Sequence, residues 1–324
     1  MATAYDTANI IIPKSAGYKS GSLYGWNPQT SSLVDFAITR AGATATRVNE
    51  AGVREAVAAN VPRIDWAEGL SCPSLLVEPQ RTNIFPQDLS GAGVVTRTIT
   101  VANATVYSVS VEGTGSMALS GAGTGTVSEG SPVTFTSSNT SLTLTLTGSL
   151  DYCQVEAGAY ATSIIFTELV QETRNEDIIE KINISSLLNS LEGSFFVEAL
   201  LFRLDDSRIL LTDANVITNT IRLSFSGGNI TVSKNGSINS IFNSAYTINN
   251  YVKAALTYNV GGTAVTANGG TVVTASGDAS LPVGTLDKIQ IGGLFSLRRF
   301  YGRIRTVAYF DYTLNSTELV NITT

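Results

Sequence analysis

The chain has 324 residues, 43% hydrophobic and only 14% charged, with 29 Gly and 8 Pro; it is long and apolar enough for roughly two or three buried cores and is no disordered polymer. A net charge of −6 and a pI near 4.8 exclude nucleic acid or an anionic membrane as partners held by the overall field, because both are themselves negative. No histidine occurs, which removes Ser-His-Asp and Cys-His nucleophiles and every His-containing zinc or non-haem iron site.

The start, Met1 to Asp6, lacks the basic stretch and apolar core of an export signal. No apolar run approaches a membrane span. The expectation is synthesis and folding in a cytoplasm. Residues 1–85 hold only short strands, for example Leu33 to Ile38 and Ser74 to Glu78. Such a segment buries little by itself and is expected to wrap on a neighbouring domain or subunit. Within it, residues 40–83 form a joint-like block that includes Arg40, Arg47, Arg63-Ile64-Asp65-Trp66 and Leu75-Leu76-Val77-Glu78-Pro79-Gln80-Arg81-Thr82-Asn83.

Residues 86–170 read as an antiparallel β-sandwich. Leu142-Thr143-Leu144-Thr145-Leu146-Thr147 alternates without a break, which puts three leucines on the core face. Val94 to Ile99, Val106 to Val111 and Val133 to Thr136 repeat the theme between Gly, Ser and Asn clusters. Gly121-Ala122-Gly123-Thr124-Gly125 is expected to be a hairpin loop, since no helix follows to complete a phosphate cradle. The region closes with Gln154-Val155-Glu156-Ala157-Gly158, Ala161-Thr162-Ser163 and Thr173-Arg174. Gln154 and Glu156 share one strand face, opposite Val155, so Glu156 is expected to be buried against the N-terminal block and paired with Arg40, Arg63 or Arg81, with a catalytic carboxylate as the lesser alternative.

Residues 171–324 begin with a short mixed stretch, Glu176 to Leu191, that fits a strand or a helical face. Strand-like runs follow at Gly193 to Phe202, Ile221 to Phe225, Tyr251 to Tyr258, Leu286 to Gly292 and Gly302 to Phe310. Asn268-Gly269 supplies tight-turn chemistry, and Asn315 with Glu318 predicts a capped helical turn at the end.

The block at 40–83, joined to the Gln-x-Glu-x-Gly, Ala-Thr-Ser and Thr-Arg sequence, resembles a module of virion surface proteins of tailed bacteriophages, where a carbohydrate-binding-module-like jelly roll ends in similar residues. The strand order from Gly193 onward resembles the concanavalin A-like, laminin G-like lectin sandwich. The resemblance implies an all-β fold, an N-terminal extended attachment segment followed by two antiparallel β-sandwich (jelly-roll, lectin-like) domains. It implies a non-enzymatic head- or tail-fibre or decoration subunit on a virion surface, assembled in the host cytoplasm. Its partners would be copies of itself, with a trimer the leading expectation, other virion proteins and host cell-surface glycans, with no cofactor, nucleic acid or membrane.

The competing chemistry is a carbohydrate depolymerase using paired carboxylates, which requires a groove lined by two or three of them; a bacterial surface adhesin is a third class. The acidic neighbours Asp205-Asp206 and Glu176-Asp177 read as solvated loop ends. Calcium needs only oxygen ligands, and because laminin G-like domains can hold it with rim aspartates, that resemblance implies Asp205, Asp206 and Asp213 as its candidates, although an exposed acidic turn is the favoured reading. Trp26, Trp66, Tyr246, Tyr301 and Tyr312 are the aromatics to weigh as a glycan platform, although a sandwich aromatic is more often core. Cys72 and Cys153 form no CxxC unit and are expected to be buried and inert. Charge swaps at Arg40, Arg63 or Arg81 are expected to loosen assembly while leaving an isolated C-terminal sandwich folded.

Overall fold

The computed structural model describes the chain apart from residues 1–3, 14–16, 20–21, 68–71, 87–94, 205–206, 214–218, 244 and 292–299. Its described residues form antiparallel β-sheets and a single α-helix, Ser316–Thr323. The chain is an all-β protein.

The first sandwich faces a four-stranded sheet onto a five-stranded one. The four-stranded sheet runs Val95–Thr100, Ser141–Thr147, Ser116–Gly121, Gly125–Ser128. In Ser141–Thr147 the three leucines are buried and the threonines lie outward, as a period of two requires. They pack on Val109, Val111, Cys153 and Val155 of the opposite sheet. Residues 121–125 connect two hairpin strands. Cys153 is buried, and burial pushes its thiol up to about 12; Cys72 differs from expectation in being partly exposed.

The second sandwich is built from a ten-stranded and a seven-stranded sheet. Five of the ten strands come from the first 85 residues: Ile10–Ile12, Trp26–Asn27, Ser32–Leu33, Arg63–Asp65 and Ser74–Val77. One edge of Gly302–Phe310 receives two of them in succession: Ile10–Ile12 lies along Val307 to Tyr309, and Ser74–Val77 continues along Gly302 to Ile304. Its other edge pairs with Gly193–Leu201. A sixth N-terminal strand, Ala37–Thr39, completes the seven-stranded sheet by pairing with Ile178–Lys181.

The run Leu33 to Ile38 is therefore not one strand. Ser32–Leu33 belongs to one sheet and Ala37–Thr39 to the other, and Phe36, fully buried, sits where the chain crosses the core between them. The ambiguous stretch after Glu176 resolves into the strand Ile178–Lys181 because Ile289 to Ile291 offers it a ladder. Ile10, Ile12, Phe36, Ile38, Leu75 and Val77 join Phe195, Val197, Ile209 and Ile289 in one continuous core.

Gly193–Leu201 is buried along its whole length because both faces of its sheet are covered. Phe195, Val197 and Ala199 face the sandwich core. Phe196 on the other face packs with Ala8, Leu314, Leu319 and Ile322. The helix there is held by a capping box: Asn315 Oδ1 accepts from Thr317 and Glu318 N–H at 3.0 and 3.1 Å, and Glu318 Oε2 accepts from Asn315 N–H at 2.8 Å. Asn268 and Gly269 both adopt positive φ, closing a tight turn in which Gly270 N–H donates to Ala267 C=O at 2.9 Å.

Candidate functional site

Where the N-terminal block meets both sandwiches, ionisable side chains converge out of reach of water. Arg40, Arg63, Arg174, Glu78, Glu156 and Asp177 are each no more than 3% exposed. The strand Arg63–Asp65 supplies Arg63; Glu78 follows Ser74–Val77; Arg174 ends Glu172–Arg174; and Asp177 precedes Ile178–Lys181. Strand pairing thus brings to one point residues more than 130 positions apart in the chain, such as Arg40 and Asp177.

Asp177 takes Arg40 Nη1 on Oδ1 at 2.8 Å, and Arg63 Nη2 with Glu78 N–H, the latter at 2.9 Å, on Oδ2. Glu78 Oε2 takes Arg63 Nη1 at 2.5 Å and lies 3.0 Å from Arg174 Nη1. Ser163 N–H and Oγ donate to Glu78 at 2.8 and 2.6 Å. Thr162 does the same for Glu156, its N–H and Oγ1 donating at 2.5 and 2.8 Å, while Gln154 Nε2 donates at 3.0 Å. Adjacent residues of the Ala-Thr-Ser sequence therefore each cap one buried carboxylate. Asn83 locks the same seam: its Nδ2 donates to Cys153 and Ile165 C=O, and its Oδ1 accepts from Phe85 and Val155 N–H.

Of the three candidate arginines, Arg81 is the one beside Glu156, with Nε 3.7 Å from Oε2 and the guanidinium 4.7 Å from the Tyr160 ring centroid. A Cβ at Gly158, whose φ is +150°, would meet this guanidinium at 2.9 Å, which gives the glycine of the Gln-x-Glu-x-Gly sequence a physical role. Arg40 and Arg63 instead serve Asp177 and Glu78. Asp177 is thus no solvated loop end, and a burial of 3% corrects that expectation. The roles of Glu78, Asp177 and Arg174 went unrecognised in the sequence. A charge directly after the apolar run Ser74–Val77, and another directly before Ile178-Ile179, were the available signals.

The two glutamates are pushed in opposite directions. Burial by itself would raise Glu78, but Arg174, Arg63 and the two Ser163 donors override it and hold the carboxyl well below the usual range. Burial raises Glu156, and Arg174, Thr162 and Arg81 offset this only in part. A raised folded value means that ionised Glu156 opposes folding at neutral pH, and that this cost is relieved as pH falls through the folded value. Glu156→Gln keeps an acceptor for Thr162 N–H and is expected to stay within about 1 kcal/mol of wild type at pH 7. Urea midpoints at pH 7 and 5 check this; a loss above roughly 3 kcal/mol would assign Glu156 a net stabilising charge.

Asp213 accepts from Thr212 Oγ1 at 3.2 Å and sits beside Asn219 Nδ2. Asp205 and Asp206 lie outside the described residues. Among the described residues no cluster of three acidic or cysteine side chains is disposed to hold a metal. Tyr246 and Tyr301 are core residues at 6% and 3% exposure, whereas Trp26, Trp66 and Tyr312 are half-buried.

One groove of about 850 Å³ opens between the hairpin of strands Ala45–Val48 and Arg54–Val57 and the edge of the first sandwich. Trp66, Tyr152, Arg54, Glu112, Glu129 and Asp151 line it. Three carboxylates thus face one groove, but Glu112 is committed to a two-pronged ion pair with Arg54, whose Nε lies 2.7 Å from Oε2 and whose Nη2 meets Oε1.

No family model matches the chain, and no curated protein matches it. Among solved structures, the CBM40 carbohydrate-binding module of a Ruminococcus gnavus IT-sialidase, bound to α2,3-sialyllactose, is similar at 14% identity and a TM-score of 0.37, covering 44% of this chain and 91% of that one. Domain 4 of the Geobacillus stearothermophilus arabinanase AbnA, in complex with arabinotriose, overlays at 16% identity and 0.38, covering 51% and 82%. A Trypanosoma rangeli sialidase overlays at 12% and 0.36, covering 45% and 25%. These are partial overlays, and the assignment to antiparallel β-sandwiches rests on the strand pairing itself.

Proposed function

We propose that this chain is a structural protein of a tailed-phage virion surface, a fibre or decoration subunit of head or tail that assembles with copies of itself as a trimer and contributes to attachment to host glycans. The observation that carries the reading is the buried junction. The chain commits six ionisable side chains and six N-terminal strands to welding its segments into one unit. Paired buried charges add little net stability over an apolar core, but they specify one arrangement of the parts against others. A particle component that must hold a fixed projection from a symmetric shell uses that property. The resemblance of the Arg-Thr-Asn and Gln-x-Glu-x-Gly sequences to virion surface proteins supports the same reading.

Mass spectrometry of purified virions is expected to detect the chain at stoichiometric abundance, and absence from the particle would sink the proposal. The second reading, a carbohydrate depolymerase, draws on Glu129 and Asp151 in the groove. Release of reducing ends from a host polysaccharide, lost in the Glu129→Gln, Asp151→Asn double variant, would be its signature.

A further inference from the structure

The groove between the Ala45–Val57 hairpin and the first sandwich joins a half-buried aromatic pair to carboxylates that nothing in the fold uses. Among the described residues no hydrogen bond or ion pair engages the side chain of Glu129 or Asp151, and both are exposed. Such charges on a bare turn would call for no comment. Here they share a concavity with Trp66 and Tyr152, each of which is held in place.

Trp66 is pinned through its neighbours. Its N–H donates to Val48 C=O at 2.9 Å. The preceding Asp65 takes Val48 N–H at 3.0 Å, Ala67 N–H at 2.9 Å and Arg303 Nη1 at 2.5 Å. Tyr152 stacks on Phe166, with ring centroids 5.0 Å apart. Arg54, fixed by Glu112, also donates to Thr46 Oγ1 at 3.1 Å. A wall that holds the Trp66 backbone and the Tyr152 and Arg54 side chains in place before a ligand arrives loses less ordering entropy on binding.

The chemistry of the lining selects the ligand. An aromatic face covers the apolar C–H face of a ring, and a groove of this size holds a few such rings. The Arg54–Glu112 pair presents donors and acceptors side by side, which suits a hydroxyl because it gives and takes a hydrogen bond at once. Glu129 and Asp151 accept further hydrogen bonds from hydroxyls. One cation against three carboxylates leaves the groove negative, so a sialylated, uronate-bearing or sulfated chain meets like charge. We infer that this groove is an oligosaccharide-binding site for neutral glycans, with Trp66 and Tyr152 as the platform and Asp151 and Glu129 as hydroxyl acceptors that exclude acidic sugars. The inference rests on the reading of the chain as an attachment protein and assigns that role to a seam between segments.

The test applies the full chain to an array of neutral, sialylated and sulfated oligosaccharides at low salt, then titrates the strongest neutral probe by calorimetry. Trp66→Ala is expected to weaken binding by about tenfold or more, as truncation of an aromatic anchor does. The double variant Glu129→Gln, Asp151→Asn changes exposed side chains and is expected to keep the wild-type melting temperature while losing the discrimination against sialylated probes. Neutral-glycan binding unchanged in both variants would overturn the groove assignment and leave the attachment reading standing. A preference of the wild type for acidic probes, or for a cationic peptide control over every sugar, would overturn the proposed ligand class. If no probe binds, the groove proposal fails, and the presence of the chain in virions decides the structural reading separately.

Discussion

Residues 171–324 expressed alone are expected not to fold cooperatively. The second sandwich takes five strands of one sheet and one strand of the other from the first 85 residues, and with them Ile10, Ile12, Phe36, Ile38, Leu75 and Val77 of its core. Each fully buried side chain of this kind contributes roughly 1.5–3 kcal/mol. Six together reach about 9–18 kcal/mol, which is comparable to the whole net stability of about 5–15 kcal/mol typical of a folded protein. The truncated chain would also leave one edge of Gly302–Phe310 without its partners, a template for aggregation. Circular dichroism melts and amide exchange of 171–324 against the full chain check this. A sharp transition with protection of Gly193–Leu201 equal to that in the full chain would refute it. The expectation of an autonomous C-terminal sandwich gives way here, because the segment read as an attachment arm is spent on completing that sandwich.

Glu78→Gln should destabilise the full chain by about 3–5 kcal/mol at neutral pH, the usual cost of removing one partner from a buried ionic network. The substitution conserves volume, so a cavity is not the cause. Arg63 and Arg174 both lose a charge partner while remaining fully buried, and the amide that replaces one carboxylate oxygen leaves Ser163 an acceptor for only one of its two donors, N–H and hydroxyl. The pH dependence follows from the lowered carboxyl of Glu78. Its contribution is fully present above the unfolded value of 4.5 and is lost as pH falls from there toward the depressed folded value. Wild type should therefore lose stability on acidification below about pH 4.5 more steeply than the Gln variant. Denaturant midpoints between pH 7 and 3 read both effects, and parallel profiles for the two proteins would contradict the role given to Glu78. Glu156, shifted the other way, is the internal contrast.

How far the chain could be read without coordinates differs from element to element. The alternation Leu142 to Thr147 announces a half-buried strand, and Asn315 with Glu318 announces a capped helix, because both signals are local. The burial of Glu156 was legible too, since Gln154 and Glu156 must share a face and an unpaired buried carboxylate is costly. The choice among its arginines was not. Arg81 lies beside Glu156 because Arg81–Asn83 forms a strand between Tyr152–Ala157 and Glu172–Arg174. Nothing local to Arg40 or Arg63 distinguishes them from Arg81.

The amino-acid sequence by itself determined the β class, the sandwich strands with their inward faces, the capped helix, and the need to pair charges between residues 40–83 and 154–174. Period, cap chemistry and desolvation act within a few residues, so they are readable along the chain. Only the tertiary structure decided that Asp177 and Glu78 are the hubs of the junction, that the N-terminal strands complete the second sandwich, and that Trp66 and Asp151 face one groove. Each of these depends on strand order in a sheet, and strand order is set by the summed burial of distant segments, which no local pattern encodes.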